Sequence, residues 1–130
     1  MKGVNRVTTA TVAKHRGQIS ELTEKIKRFR DDRDWLQFHN HKDMALSLVL
    51  EATEVLEHFQ WKSVEECKKH AQEHSSEIGE ELADVGMYLL ELADNLGINL
   101  AEAIEQKLKK NASKYPIEKA RGSAKKYTSL

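Results

Sequence analysis

The sequence predicts an all-α fold, and three observations predict it. Turn formers are scarce, with one proline and six glycines in 130 residues, whereas a β-rich domain needs frequent turn signals. Ala, Leu, Glu and Lys, all good helix formers, are abundant between those few breakers. Apolar residues recur at spacings of three and four, the period of a helix face. A chain of this length fits one domain with one modest hydrophobic core.

The elements follow in order. Residues 1–17 hold no acidic residue and several Thr, Lys and Arg. They resemble a transit peptide only faintly and read as a flexible N-terminus. A first helix over 18–35 places Ile19, Leu22, Ile26 and Phe29 on one stripe. The loop 38–42 carries Asn40 between two histidines. A second helix over 43–59 clusters Ala45, Leu48, Ala52, Val55, Leu56 and Phe59 on one face, taking about 100° per residue. Ser63 followed by Glu66 is a capping box that opens a third helix bearing Cys67, His70 and His74. The polar stretch 72–76 marks a break. A fourth helix over 77–96 faces inward with Ile78, Leu82, Val85, Leu89, Leu92 and Leu96, and stops at Gly97. Asn99 with Glu102 caps a fifth helix, which Pro116 ends near Tyr115. This gives a helical domain over 18–116 and a basic tail over 117–130.

Composition excludes several function classes. The 21 basic and 21 acidic residues cancel, so the chain lacks the basic excess of an electrostatic nucleic-acid binder. No apolar run approaches the roughly 18 residues that would span a membrane. Cys67 is the single cysteine, so no intrachain disulfide forms, which suits an intracellular, cytoplasmic setting. No glycine-rich phosphate loop occurs.

The informative pattern is a repeated pair of carboxylates. Glu51-x-x-Glu54 and Glu81-x-x-Asp84 each set two acids one helical turn apart. Both pairs border an apolar stripe at the same angular offset, with Glu77 and Tyr88 beside the second. If the two helices pack together, four carboxylates meet at the edge of the core and repel unless a cation neutralises them. Oxygen-only donors suit Mg²⁺, with Mn²⁺ as a substitute. A solvated helix face carries the same pairs, and the residues alone leave both readings open. A di-iron bundle would need Glu-x-x-His on two helices, and no Glu stands three residues before any histidine. Cys67, His70 and His74 hint at zinc but are too few for a closed structural site. Trp35, Phe38, His39 and Trp61 lie at helix-to-loop transitions, where aromatic rings either fill core or stack on a base.

Further strings carry a resemblance. Arg33-Asp-Trp-Leu-Gln-Phe-His39, Glu51-Ala-Thr-Glu54-Val-Leu-Glu57, Phe59-Gln-Trp-Lys62 and Glu80-Glu-Leu-Ala-Asp84 occur in that order. Tyr88, Lys107, Asn111, Tyr115-Pro116 and Arg121-Gly-Ser-Ala-Lys-Lys-Tyr-Thr128 follow. Over residues 18–130 the chain resembles the all-α nucleoside triphosphate pyrophosphohydrolases of the MazG-like group, in their dCTP pyrophosphatase branch. The resemblance implies a MazG-like helical bundle completed by dimerisation as a dimer of dimers, a homotetramer whose base pocket a neighbouring subunit completes. It implies cleavage of the α–β phosphoanhydride of a nucleoside triphosphate, dCTP or a 5-modified dCTP, to monophosphate and pyrophosphate. Glu51, Glu54, Glu81 and Asp84 would bind Mg²⁺, and Glu51, Glu54 and Glu57 are the candidates for general base. Trp35, His39, Trp61 and Tyr88 would line the base and sugar pocket. Lys107 and Asn111 would contact phosphate or sugar, and Arg121, Lys125, Lys126 and Tyr127 would close over the triphosphate. Two departures stand out, the His- and Cys-bearing segment between Trp61 and Glu80 and Glu-Ala-Thr-Glu in place of a glycine-containing version. The other class of function compatible with the sequence is a catalytically silent helical adaptor of the same fold.

Overall fold

The computed structural model describes the backbone of residues 8–130 and the side chains of residues 17–130. Residues 1–7, the first part of the expected flexible N-terminus, lie outside the described residues. Six helices follow one another: α1 (Thr8–Asp31), α2 (His41–Glu57), α3 (Val64–Glu73), α4 (Ser75–Asn95), α5 (Leu100–Lys114) and α6 (Ile117–Ala120). Short 3₁₀ turns span Leu36–Phe38 and Tyr127–Ser129, and no strand occurs among the described residues. The chain divides into two compact units, one closing at Gly97 and one running from Ile98 to Leu130.

Local chemistry accounts for most of the boundaries. The Asn40 side chain accepts from the Asp43 amide at 2.9 Å and opens α2. Both capping-box bonds of Ser63 and Glu66 are made at the start of α3, and the Ser63 backbone N–H holds the Glu66 carboxyl below its ordinary range. The Asn99 side chain accepts from the Glu102 amide at 3.1 Å and opens α5. Gly97 follows α4 with φ +66, the left-handed conformation that glycine adopts without strain. His74 alone separates α3 from α4, within the expected break.

The first helix departs from expectation at both ends. It starts at Thr8 rather than residue 18, because one helical glycine, Gly17, costs only about 1 kcal/mol and does not stop a helix. It stops at Asp31 rather than Trp35, where Asp34 turns left-handed at φ 52.

In the first unit α4 is the hub and packs on α2, α1 and α3. Met44 at 1% exposure, Ile78 and Ala93 are the buried apolar residues among those described. Thr23, Arg30 and Glu91 are buried beside them. On α2 the packed line is Met44, Leu48, Glu51 and Val55, whereas Ala45, Ala52 and Leu56 of the expected face are exposed. On α4, Ile78, Val85 and Leu92 turn inward as expected, but Leu82, Leu89 and Leu96 are exposed. The physical reason is that both helices are apolar over more than one face, so periodicity alone does not choose which face a partner takes. Leu46, Val49, Leu50 and Leu56 are left as a second, open apolar row along α2.

Truncation of Met44 should therefore be expensive. Met44→Ala is expected to lower the unfolding free energy by about 2–5 kcal/mol. Urea denaturation checks this, and a loss below about 1 kcal/mol would place the core elsewhere.

Candidate active site

The site is built on α2 and α4, because the packed line of each helix carries acids in place of apolar residues. Glu51 sits on that line of α2, one turn from Leu48, and Glu81 and Asp84 lie one turn apart on α4. One carboxylate oxygen from each of Glu51, Glu81 and Asp84 lies within 4.8 Å of the other two. Glu54 interacts with both Glu51 and Glu81. Burial first, then the charges of Glu54 and Asp84, push the Glu51 carboxyl above its ordinary value. Contact with the Glu54 carboxyl, then burial and the charges of Glu54, Asp84 and Glu51, push Glu81 up as well. Three of the four expected metal ligands, Glu51, Glu81 and Asp84, are thus brought together, and Glu54 is exposed beside them. Glu57 is exposed at the end of α2 and is not among the three whose oxygens meet.

The donor set tests its own occupant. Among the described residues every atom of the group is a carboxylate oxygen, no nitrogen or sulfur joins them, and Glu51 and Glu81 are pushed up by burial and by their acidic neighbours. A hard divalent cation answers all three features.

Beside the acids lies a pocket of about 250 Å³. Its walls are Ile26, Phe29 and Met87 with the rings of Trp35 and Tyr88, and its polar lining is Asp84, His39, Glu91 and Arg30. Phe29 and Trp35 meet edge to face at 5.8 Å, and the Arg33 guanidinium lies 3.7 Å above Phe29. Asp84 belongs both to the carboxylate group and to the pocket wall. Of the expected base and sugar contacts, Trp35, His39 and Tyr88 converge here. Trp61 does not line the pocket, being 93% exposed with a left-handed φ of 66.

Two polar lining residues escaped the sequence reading. Arg30 is 5% and Glu91 2% exposed. Arg30 Nη1 donates to Glu91 Oε1 at 3.0 Å and to Asn95 Oδ1 at 3.3 Å, and Arg30 Nε donates to Asp31 Oδ1 at 2.8 Å. His39 Nδ1 lies 2.9 Å from both Glu91 oxygens. A charged pair 61 residues apart leaves no local pattern, and only the spacing of Glu91 seven residues after Asp84, two turns along the same face, pointed inward.

The other candidates lie elsewhere. His58 Nδ1 and His70 Nε2 share a hydrogen bond at 2.9 Å, and His70 stacks on His74 at 4.4 Å. Burial, then the neighbouring His74, Lys62 and His58, lowers the basicity of His70. Cys67 Sγ points to the Phe59 carbonyl at 3.7 Å. Among the described residues the acids are the group able to meet on a metal, and Cys67, His70 and His74 are not. Lys107, Asn111, Arg121, Lys125, Lys126 and Tyr127 all belong to the second unit. There Lys107 and Asn111 stand one turn apart on α5, and Tyr127 meets Tyr115 edge to face at 5.9 Å.

The sequence profile of the MazG-like family matches residues 46–130. The chain is similar to dCTP pyrophosphatase 1 of Mus musculus, 41% identical over 104 residues, which cover 78% of this chain and 61% of that protein. It is similar to dCTP pyrophosphatase 1 of Homo sapiens at 38% identity over the same shares of each. The chain thus spans about three fifths of the length of these relatives. It also resembles the crystal structure of a pyrophosphatase from Archaeoglobus fulgidus, with a TM-score of 0.73 and 42% identity. That match covers 76% of this chain and 93% of the other.

The raised acids give a pH signature. The folded protein keeps protons on Glu51 and Glu81 to higher pH than the unfolded chain does. Stability of the metal-free protein therefore falls as pH rises through the ordinary carboxylate range and into the raised one. In EDTA at neutral pH, Glu51→Gln is expected to melt above the parent, and added divalent cation should stabilise the parent more than the variant. A variant that melts lower than the parent in EDTA would contradict the repulsion.

Proposed function

The chain belongs to the MazG-like family, and from that premise we propose that it is a Mg²⁺-dependent nucleoside triphosphate pyrophosphohydrolase. It cleaves the α–β phosphoanhydride of dCTP or a 5-modified dCTP, releases monophosphate and pyrophosphate, and works in the cytoplasm on the nucleotide pool. The observation that carries this reading is Asp84, which stands in the carboxylate group and in the wall of the aromatic pocket at once. A ligand with a base in the pocket has its phosphates at the acids.

Glu51, Glu81 and Asp84 hold the metal in this reading, with Glu54 beside them, and Mn²⁺ fits the same donors. Mg²⁺ bound there supplies positive charge to the triphosphate and lowers the pKa of a coordinated water. Trp35 and Tyr88 offer ring faces to a base, and His39 offers it a polar edge. Glu54, which touches both Glu51 and Glu81 without being one of the three oxygens that meet, takes the proton of the attacking water. Glu51 stays a ligand, and Glu57 is too exposed at its helix end to serve. Lys107, Asn111, Arg121, Lys125, Lys126 and Tyr127 are assigned to phosphate and sugar, as the family resemblance implies.

The enzyme works as a homotetramer, a dimer of dimers closed by two-fold axes. Support comes from the open row of Leu46, Val49, Leu50 and Leu56 on α2, because contiguous exposed apolar faces mark interaction surfaces. Trp61, strained and solvent-facing on one chain, is assigned to the pocket of a neighbouring copy.

Two experiments test this. With Mg²⁺ and each deoxynucleoside triphosphate, the products should be monophosphate and pyrophosphate, fastest for a cytosine base. Glu54→Gln and Asp84→Asn should each lower kcat by about a hundredfold or more with circular dichroism unchanged. Nucleotide binding without turnover in the parent would make the chain an adaptor of the same fold. Light scattering should give four copies, and Val49→Glu with Leu50→Glu should reduce the mass. An unchanged mass would free α2 from the interface.

A further inference from the structure

We propose that His58 and His70 form a clamp on the turn that presents Trp61, and that the clamp opens when both imidazoles carry charge. They are positioning residues for the reaction, a role that rests on the assignment of Trp61 to the pocket of a neighbouring copy. The starting point is the backbone of Trp61, which holds φ 66 without being glycine and leaves its ring 93% exposed. Such strain persists only where the surroundings over-determine it, and solvent does not. The hold comes from the residues on either side of the indole, and one row of α3 meets them. Cys67, His70 and His74 stand three and four residues apart, on one face of the helix and its cap. Cys67 Sγ lies 3.7 Å from the Phe59 carbonyl oxygen and 4.0 Å from that of Lys62. His70 Nε2 shares a hydrogen bond at 2.9 Å with Nδ1 of His58, the C-cap of α2. The Phe59 ring meets His70 edge to face at 6.3 Å. The turn over 58–63 is thus gripped before and after Trp61.

The shared hydrogen bond limits the charge of the pair. Two facing ring nitrogens bond only if one bears a hydrogen and the other a lone pair, whichever ring donates. The pair therefore tolerates one positive charge and not two, because a second leaves two N–H groups facing each other at 2.9 Å. The charged and titratable groups around His70 are His58 from α2, Lys62 from the turn, His74 from the end of α3 and Glu77 from α4. His74 stacks on His70 at 4.4 Å, and its Nδ1 contacts the Glu77 carboxylate. Lys62 and His74 oppose a charge on His70, and Glu77, the one group that favours it, is engaged by His74. Burial adds to their effect, so His70 is harder to protonate than a free imidazole. A base that resists the proton in the folded state costs stability as pH falls through the imidazole range. The grip on the turn is lost with it, and Trp61 is no longer held out to its neighbour.

Cys67, the single cysteine, reports the grip without turnover. Its rate of reaction with 2,2′-dithiodipyridine is measured in the parent and in His70→Gln, whose amide supplies a nitrogen near the Nε2 position and takes no proton. As pH falls from about 7.5 to about 5, the parent rate should rise about fivefold or more relative to the variant. Imidazole NMR signals of the parent should show His58 and His70 titrating in two separated steps. A rate ratio flat in pH, or two rings that titrate independently, would overturn the clamp. If His70→Gln fails to fold, His58→Asn places an amide nitrogen near the Nδ1 position and carries the same thiol readout. The catalytic role is read at neutral pH. His70→Ala should raise KM for dCTP about fivefold or more with kcat close to the parent's, and His70→Gln should restore it. A KM that His70→Ala leaves unchanged would overturn the positioning role. A parent that turns over no nucleotide yet opens its thiol with falling pH refutes the assigned activity and leaves the clamp standing.

Discussion

Carboxylates repel, and α2 and α4 are pressed together along faces that carry them. Glu51 takes a position on α2 that a leucine would fill to better effect for folding, and Glu81 does the same on α4. Glu51 and Glu81 resist ionising there, a perturbation of the kind that gathers at functional sites rather than one that serves stability. The rest of the first unit follows from that constraint. With acids at the middle of the helix contact, apolar burial retreats to either side, to Met44 and Ile78 and to Ala93. The helices are held in register by these flanking residues, and rigid helices are what keep ligand oxygens within a few ångströms.

A core this small is a consequence, not an oversight. A chain of 130 residues that spends helix faces on acids and on a ligand pocket has little left to bury by itself. Its apolar rows are instead displayed, on α2 most of all. The helix that carries Glu51 and Glu54 turns its other side outward as an open apolar row.

Much of this was legible in the sequence. The caps at Asn99 and Ser63 and the stop at Gly97 were readable because each is a local rule between residues a turn apart. The four carboxylates were readable because their spacing repeats. Which face of α2 turns inward was not, since Leu48 and Leu56 are equally apolar and only the partner helix distinguishes them. The start of α1 was placed too late because the acid-free run rich in Thr, Lys and Arg before Gln18 was read as a flexible end. Arg30 and Glu91 stayed hidden for a different reason. Charged residues read as surface by default, and nothing short of tertiary structure brings position 30 to position 91.

The chain has two tryptophans, and the fold exposes them to different degrees, Trp35 at 43% and Trp61 at 93%. Trp35 lines the pocket against Phe29, while Trp61 stands at a strained turn in full contact with solvent. Indole emission shifts to the blue as water is removed from around the ring. The protein thus carries two built-in optical probes of different surroundings, Trp35 of the pocket wall and Trp61 of its own turn. Replacing either one with phenylalanine leaves a single-colour reporter of the other.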